Sequence, residues 1–216
     1  MYQVDNPSIA SFEDAENEWV IRGAVLMRGD MFMHGEFVPS KVISEAAKHV
    51  GVSLHDMNHR GTGFMLPNGQ MVPPDISYFV GFQDNYVYDE DKKSLYVDIH
   101  IMKNDSKSNT EWKTYYDICQ RAGRMPNLSA YGQKQASIIR ASKLGIDVSA
   151  YGLRPEQNVR CLNFLSITAG STVYQGACND RDGCGIPLAS EILPHDISCD
   201  EEYQNYLNKR IKQIGG

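Results

Sequence analysis

The sequence predicts an α+β domain, an antiparallel sheet or small barrel with a few flanking helices. Two observations predict this fold class. Stretches of β-branched and alternating apolar residues outnumber stretches with helical spacing, and the order is strand, helix, several strands, helix, several strands. Clusters of Gly, Pro, Asn and Asp separate the strands, as turns do.

Composition narrows the function classes. The chain has 216 residues, 42% of them hydrophobic, which suits one domain with extensions. Its net charge of −6 and the lack of a basic block argue against nucleic-acid binding. No apolar run approaches the roughly 20 residues of a membrane span, and the acidic N-terminus is unlike a signal peptide. Five cysteines without repeated spacing indicate reduced thiols, so we expect a soluble cytoplasmic protein.

The first third of the chain predicts an arm, a strand, a hairpin and a helix. Residues 1–18 are polar and form the expected arm, and WVIRGAVLM (19–27) alternates like a strand. Glycines punctuate a hairpin over 29–40. KVISEAAKHV (41–50) has an apolar face at helical spacing, and Ser40 is its expected N-cap.

The middle of the chain predicts three strands and a longer helix. VSLHDMNH (52–59) alternates like a strand that would place His55 and His59 on one face. A Gly- and Pro-rich loop follows it. Two strands, 76–88 and 94–102, are joined by the turn DEDKK, and NTEWKTYYDICQRAGR (109–124) is the helix. Strand-like segments and a final helix over 201–214 complete the prediction.

A candidate nucleophile follows the helix 109–124. Ser129 lies in MPNLSAYGQK, with Gly132 close behind to let backbone amides approach a substrate oxygen. A serine nucleophile needs a base within hydrogen-bond reach, and His59, where a strand runs into a glycine loop, is placed to be one. By spacing alone a turn serine is the commoner interpretation.

Five blocks of the sequence, within about residues 19–178, resemble the prohead proteases of tailed bacteriophages. These capsid-maturation serine proteases are related in fold to the herpesvirus assemblins, so the resemblance implies an assemblin-like fold. It would make 19–178 the protease domain and 179–216 a C-terminal extension. The blocks are IRGAVLMRGDMFMHGEFVPSKVISEAAKHV, SLHDMNHRG, YFVGFQDNYVYDEDKKSLYVDIHIM, ICQRAGRMPNLSAYG and LNFLSITAGSTVYQGA.

Carried onto this sequence, the resemblance implies Ser129 as nucleophile and His59 as general base, with His55 as the alternative base. A second SAYG, at Ser149, lacks the preceding helix and is expected to be structural. In the strand where the family presents an acid or a histidine, this chain has Asn163. An Asn orients an imidazole but does not stabilise its charge.

The third catalytic member therefore stays open at this point. Asn163 is the tentative choice, and Asp56 and Asp98 are other acids that would serve. Backbone amides from Ser129 to Gly132, helped by Arg140 or Arg154, are expected to hold the oxyanion.

The implied substrates are phage scaffold and major capsid proteins and the protease itself, cleaved in the host cytoplasm inside the assembling prohead. A homo-oligomer is expected, with no cofactor or metal. CNDRDGC (178–184) lacks the second ligand pair of a zinc site and the closing Glu of a calcium loop.

Two other functions remain open. One is a catalytically inactive capsid- or scaffold-associated structural protein that keeps the protease fold, which Asn163 favours. The other is an esterase, but neither Ser129 nor Ser149 has the G-x-S-x-G sequence of a nucleophile elbow.

Overall fold

The computed structural model describes residues 11–66, 69–124, 126–174 and 185–186. The two helices are α1 (Ser40–Ala47) and α2 (Lys107–Arg121). The strands are β1 (Ser11–Asp14), β2 (Glu18–Arg28), β3 (Met31–Met33), β4 (Glu36–Val38), β5 (Ser53–Met57), β6 (Phe64–Met65), β7 (Met71–Val72), β8 (Phe79–Asp89), β9 (Ser94–Met102), β10 (Asn127–Arg140) and β11 (Asn158–Val173).

Nine strands form one sheet in the order β1-β2-β9-β8-β5-β11-β4-β3, with β10 also paired to β11. All neighbours are antiparallel except β5 and β4, which both run parallel to β11. The short strands β6 and β7 pair in the Gly- and Pro-rich loop. This mostly antiparallel sheet with two helices confirms the predicted α+β class.

Both helices bury one apolar face against the sheet. In α1 the buried side chains are Val42, Ile43 and Ala46, at the predicted helical spacing. Trp112 of α2 is fully buried and stacks on Tyr116, with ring centroids 5.2 Å apart. Burial of each large apolar side chain stabilises the fold by about 1.5–3 kcal/mol.

The start of α1 differs from its sequence prediction. The N-cap residue is Pro39, and Ser40 begins the helix without a side-chain cap. The Ser40 amide instead donates to Asp30 Oδ1 at 2.8 Å. Asp30 lies in the β2–β3 turn with a positive φ of 57°, which directs its carboxylate at the helix start. The carboxylate of Asp30, ten residues earlier in the chain, therefore takes the place of a local N-cap side chain.

The sheet extends past both ends of the predicted range 19–178. Part of the predicted arm forms β1, which pairs with β2. Beyond residue 178, Gly185 exchanges two backbone hydrogen bonds with Val25, of 2.9 and 3.0 Å, and Ile186 is fully buried. The predicted helix 201–214 lies outside the described residues. No helix in the described part of the chain is long and apolar enough to cross a membrane.

A buried polar network crosses the sheet at His55, whose side chain is fully buried. Gln83 Nε2 donates to His55 Nδ1 at 2.6 Å, and His55 Nε2 donates to Thr172 Oγ1 at 2.8 Å. Trp112 Nε1 donates to the same Thr172 oxygen at 2.9 Å. Burial, and secondarily the charge of the neighbouring His59, lowers the pKa of His55 to about 3. His55 is therefore neutral in the folded protein at neutral pH.

We expect stability to fall as pH drops from 7 to 5, because an unfolded His55 takes up a proton near pH 6.5 and the folded one does not. Between pH 6.5 and 3 the free energy of unfolding falls by about 1.4 kcal/mol per pH unit. At pH 5 the loss amounts to about 2 kcal/mol. Urea unfolding of wild type and His55→Gln at both pH values measures this. On going from pH 7 to pH 5, the free energy of unfolding of His55→Gln should fall by about 2 kcal/mol less than that of wild type.

The control is His49→Gln, which replaces a largely exposed histidine of the α1 region. It should keep the wild-type difference between the two pH values. Equal pH dependence in His55→Gln and wild type would contradict the assignment of His55 as the buried neutral histidine.

Candidate active site

Ser129 is the third residue of β10 and lies seven positions after Ala122, the residue that caps the C-terminus of α2. Gly123 has a positive φ of 64°, which turns the chain out of the helix. On β10, Ser129 pairs with Ser171 of β11. The predicted order of helix, turn and serine is confirmed, and the serine lies on a strand with its side chain half-buried.

His59 reaches the same place from the end of β5. That strand runs parallel to β11, and its last residue, Met57, lies opposite Thr172. Asn58 and His59 then both adopt positive φ angles, 57° and 58°, which curl the chain out of the sheet. Ser171 Oγ accepts a hydrogen bond of 3.0 Å from the His59 amide and so holds this curl.

The two side chains meet. His59 Nε2 lies 2.9 Å from Ser129 Oγ, although the residues are 70 positions apart in the sequence. Burial lowers the pKa of His59 below its ordinary value, and the negative charge of Asp56 partly offsets this effect. The imidazole is therefore neutral at neutral pH, and Nε2 is able to accept the hydroxyl proton of the serine.

Asp56 is a fully buried carboxylate beside the pair. Its Oδ2 accepts from the backbone N and the Oγ1 of Thr62, at 2.9 and 3.2 Å. Gly61 packs so closely that a Cβ there would lie 2.9 Å from Asp56 Cβ. Within the described residues neither Asp56 Oδ1 nor His59 Nδ1 has a hydrogen-bond partner. The carboxylate thus acts on the imidazole through its charge.

Comparisons with protein-family models, with curated proteins and with solved structures find no match.

The structure does not bring Asn163 to the pair. Asn163 lies eight residues before Ser171 on β11, a separation of about 26 Å in an extended strand. Its side chain is exposed and donates to Ser137 Oγ at 2.7 Å. It lines a separate groove of about 500 Å³ between α1 and β11. The tentative assignment of Asn163 as third member is corrected here, because the register of β11 places it far from His59.

The alternative base His55 is also separate from Ser129. Both of its ring nitrogens are engaged, with Gln83 and Thr172, and its pKa of about 3 leaves it a poor proton acceptor. The predicted common face of the two histidines is lost because β5 ends at Met57 and the positive φ of His59 breaks the alternation. Of the two histidines, only His59 contacts the serine.

The other charged candidates lie elsewhere. Asp98 accepts from the Gly23 amide at 2.8 Å and from Arg22, in the β2–β9 part of the sheet. Arg140 ends β10, eleven residues beyond Ser129. Arg154 pairs with Glu156 at 3.5 Å in the turn before β11. Neither arginine is placed to contact a substrate oxygen at Ser129.

The two SAYG segments adopt different structures, and the second is a 3-10 helix rather than the expected strand or hairpin. Ser149 is in a short 3-10 helix, Val148–Tyr151, and its Oγ donates to Asp147 Oδ1 at 2.6 Å. Gly152 then takes a positive φ of 69° and ends that helix. By contrast Gly132 is in β10, where a Cβ would lie 1.7 Å from the Ser166 carbonyl oxygen. The glycine of the first copy therefore permits close approach to β11.

A cavity of about 210 Å³ opens beside Ser129. Its walls come from β2, the β3–β4 hairpin, β10 and β11, and they are mostly apolar. No group of three or more His, Cys, Asp or Glu side chains in the described part of the chain is placed to hold a metal ion. CNDRDGC (178–184) lies outside the described residues.

Sequence reasoning missed two positioning residues, Ser171 and Thr62. Ser171 is fully buried, and its hydroxyl accepts from the His59 amide. Thr62 holds Asp56 through two hydrogen bonds. Asp56 just before a glycine loop was a usable signal for this contact, since Asp side chains accept from nearby backbone N–H groups, as Asp56 does from Thr62. No local signal marked Ser171.

The electrostatic role of Asp56 is testable without an activity assay. In Asp56→Asn the amide oxygen still accepts from Thr62, but the negative charge that raises the pKa of His59 is removed. We therefore expect the His59 imidazole to titrate at a lower pH in the variant than in wild type, as followed by NMR. Asp147→Asn, which removes a remote exposed carboxylate, is the control and should leave that titration unchanged. An unchanged His59 pKa in Asp56→Asn would refute the role.

Proposed function

We propose that this chain is a serine endopeptidase of the prohead-protease type, with Ser129 as nucleophile and His59 as general base. The observation that carries the proposal is the 2.9 Å contact between His59 Nε2 and Ser129 Oγ. Ser129 and His59 come from two separate sequence motifs, and their side chains lie at hydrogen-bond distance in the fold.

The proposed first step is attack of Ser129 Oγ on a peptide carbonyl carbon. The hydroxyl proton passes to His59 Nε2, and the C–O bond forms as the carbonyl oxygen becomes an oxyanion. The protonated imidazole then gives this proton to the amide nitrogen as the C–N bond breaks. An acyl-enzyme remains on Ser129. Water, deprotonated by the same imidazole, attacks the acyl carbon, and the imidazolium returns its proton to Ser129 Oγ as the acyl C–O bond breaks.

In this mechanism Asp56 takes the part first given to Asn163. The neutral His59 that accepts at Nε2 carries its hydrogen on Nδ1, and proton transfer makes the ring cationic. The buried Asp56 charge favours that cation, as its effect on the pKa of His59 indicates. Because the effect acts through space, Asp56 is an electrostatic residue rather than a hydrogen-bonded triad member.

Backbone amides of β10 near Ser129 are proposed to hold the oxyanion. From Ala130 to Gly132 the strand pairs with β11 on one side, and in the described residues it has no strand on the other. The register shift between Tyr131 and Gly132 passes over Thr168 of β11, so an irregularity of the ladder lies opposite these amides. Such irregularities re-aim backbone groups next to active sites. Arg140 and Arg154 do not have this role, because Arg140 is at the far end of β10 and Arg154 lies in the turn beside that end.

The natural substrates are proposed from the family resemblance: scaffold and major capsid proteins, and the protease itself, within an assembling prohead in the host cytoplasm. The assemblin-like fold and the homo-oligomer belong to the same proposal. A 9-stranded, mostly antiparallel sheet with the serine on one long strand is compatible with that fold.

The inactive structural protein is the competing function. It is favoured by His59 Nδ1, which is buried and has no hydrogen-bond partner among the described residues. An imidazole without a bonded orienting group is a weaker base than one in a full triad. Measured proteolysis distinguishes the two.

We expect Ser129→Ala and His59→Ala each to lower proteolysis by about 10⁴- to 10⁶-fold, the range seen when members of a serine–histidine–aspartate triad are removed. The measurement is processing of co-expressed scaffold and capsid proteins, followed by gel and mass spectrometry. Ser149→Ala is the matched control, since this exposed serine only binds Asp147. It should process at the wild-type rate.

Processing that survives Ser129→Ala would remove this serine as nucleophile. Wild-type protein that neither processes its partners nor is labelled at Ser129 by a fluorophosphonate would establish the structural alternative instead.

A further inference from the structure

We propose that the Ser129 cavity, the space of about 210 Å³ beside Ser129, binds the side chain of the substrate residue whose carbonyl is attacked. The side chain it takes is apolar and of the size of Leu or Met. This inference rests on the proposed protease function and adds the cleavage specificity of the same site.

The position of the cavity is the first argument. Ser129 is itself part of the wall. In the acyl-enzyme, Ser129 Oγ is bonded to the carbonyl carbon, and the side chain leaves from the adjacent Cα. That side chain therefore has to lie within a few ångströms of Ser129. Its volume, below the roughly 300–1,000 Å³ of pockets that hold drug-sized ligands, suits one side chain rather than a whole ligand.

The chemistry of the walls is the second argument. Leu26, Met27 and Met33 approach from β2 and β3, and Leu162 and Leu165 from β11. Apolar walls favour an apolar side chain by about 25 cal/mol per Å² of surface removed from water. Flexible methionines also adapt to the shape of the occupant.

The charges at the cavity are already paired. Glu36 is largely buried and accepts from Arg160, with Nη2 to Oε1 at 2.8 Å, and it also binds Lys134 Nζ. These contacts hold the pKa of Glu36 below its ordinary value, so the carboxylate stays charged and engaged. A charged substrate side chain would lose its hydration here and would find Glu36 and Lys134 already paired with each other, which is costly.

The path of the substrate backbone is the third argument. Gly185–Ile186 bridges β2 and the start of β10: Gly185 exchanges hydrogen bonds with Val25, and the Ile186 amide donates to the Pro126 carbonyl at 2.9 Å. An extended segment therefore fits between these two strands. Pro126 lies three residues before Ser129, and the cavity is the next part of the same gap. A substrate added there as a strand would present its carbonyl to Ser129.

The test uses acetylated hexapeptide amides, Ala-Ala-Ala-X-Ala-Ala, with X as Leu, Met, Glu or Lys. Binding to Ser129→Ala is measured by NMR titration, and cleavage after X by wild type is measured separately. We expect the Leu and Met peptides to bind at least about tenfold more tightly than the Glu and Lys peptides. Wild type should cleave them with a similar advantage in kcat/KM.

Two matched substitutions test whether the preference for Leu over Glu arises in the Ser129 cavity. Met27→Lys, made in Ser129→Ala, adds a charge to a half-buried wall residue and should remove most of the Leu-over-Glu preference. Met102→Lys makes the same change at an exposed methionine outside the cavity and should keep the preference. Equal binding of all four peptides, or a preference that Met27→Lys leaves intact, would overturn the pocket assignment.

The two proposals fail separately. If wild type cleaves no peptide and a fluorophosphonate leaves Ser129 unlabelled, the protease function fails. The binding preference in Ser129→Ala still decides whether the cavity recognises an apolar side chain. If the peptides are cleaved but without preference for Leu or Met, the protease function stands and the specificity inference is wrong.

Discussion

The β11 strand is the constraint on which both the sheet and the site depend. It pairs with β10 along its whole length and, on its other edge, runs parallel to β5 and β4. One end of β11 therefore fixes the two segments that carry Ser129 and His59. A shift of one residue in either pairing would turn the side chains of that strand to the other face. Ser171 is the position where the two registers meet, because it lies opposite Ser129 on one side and Asp56 on the other.

The backbone after β5 adopts an unusual conformation where His59 approaches Ser129. Two successive residues other than glycine, Asn58 and His59, have positive φ angles, which cost about 1–2 kcal/mol each. The Asn58 amide donates to the Thr172 carbonyl at 2.9 Å, and Asn58 Oδ1 accepts from the Tyr174 amide at 3.0 Å. Such hydrogen bonds contribute about 1 kcal/mol each and so offset part of the strain. Strain held in this way at a candidate nucleophile–base pair is typical of a functional site.

Two histidines only four residues apart have opposite environments. His55 is surrounded by Gln83, Thr172 and Trp112, so it is fixed and neutral. His59 keeps Nε2 for Ser129 and lies in the field of a buried carboxylate. The strand β5 thus supplies one histidine to the buried network of the sheet, and the curl after it supplies the one that contacts Ser129. Their chemical difference comes from burial and neighbours, since the side chains are identical.

The sequence by itself determined the α+β class, the elements flanking the site and the serine and histidine that meet. The class and the elements follow from local patterns, which are apolar periodicity, turn residues and a helix ended by a glycine, while the choice of the serine and the histidine also used the family resemblance. Only the tertiary structure decided the residues around them. Asn163 belonged to the expected strand but to the wrong part of it, while Asp56 lies three residues from His59 and is brought back to it by the curl of the chain. Register and backbone curls depend on strands far apart in the chain, so local patterns do not encode which side chains they bring together.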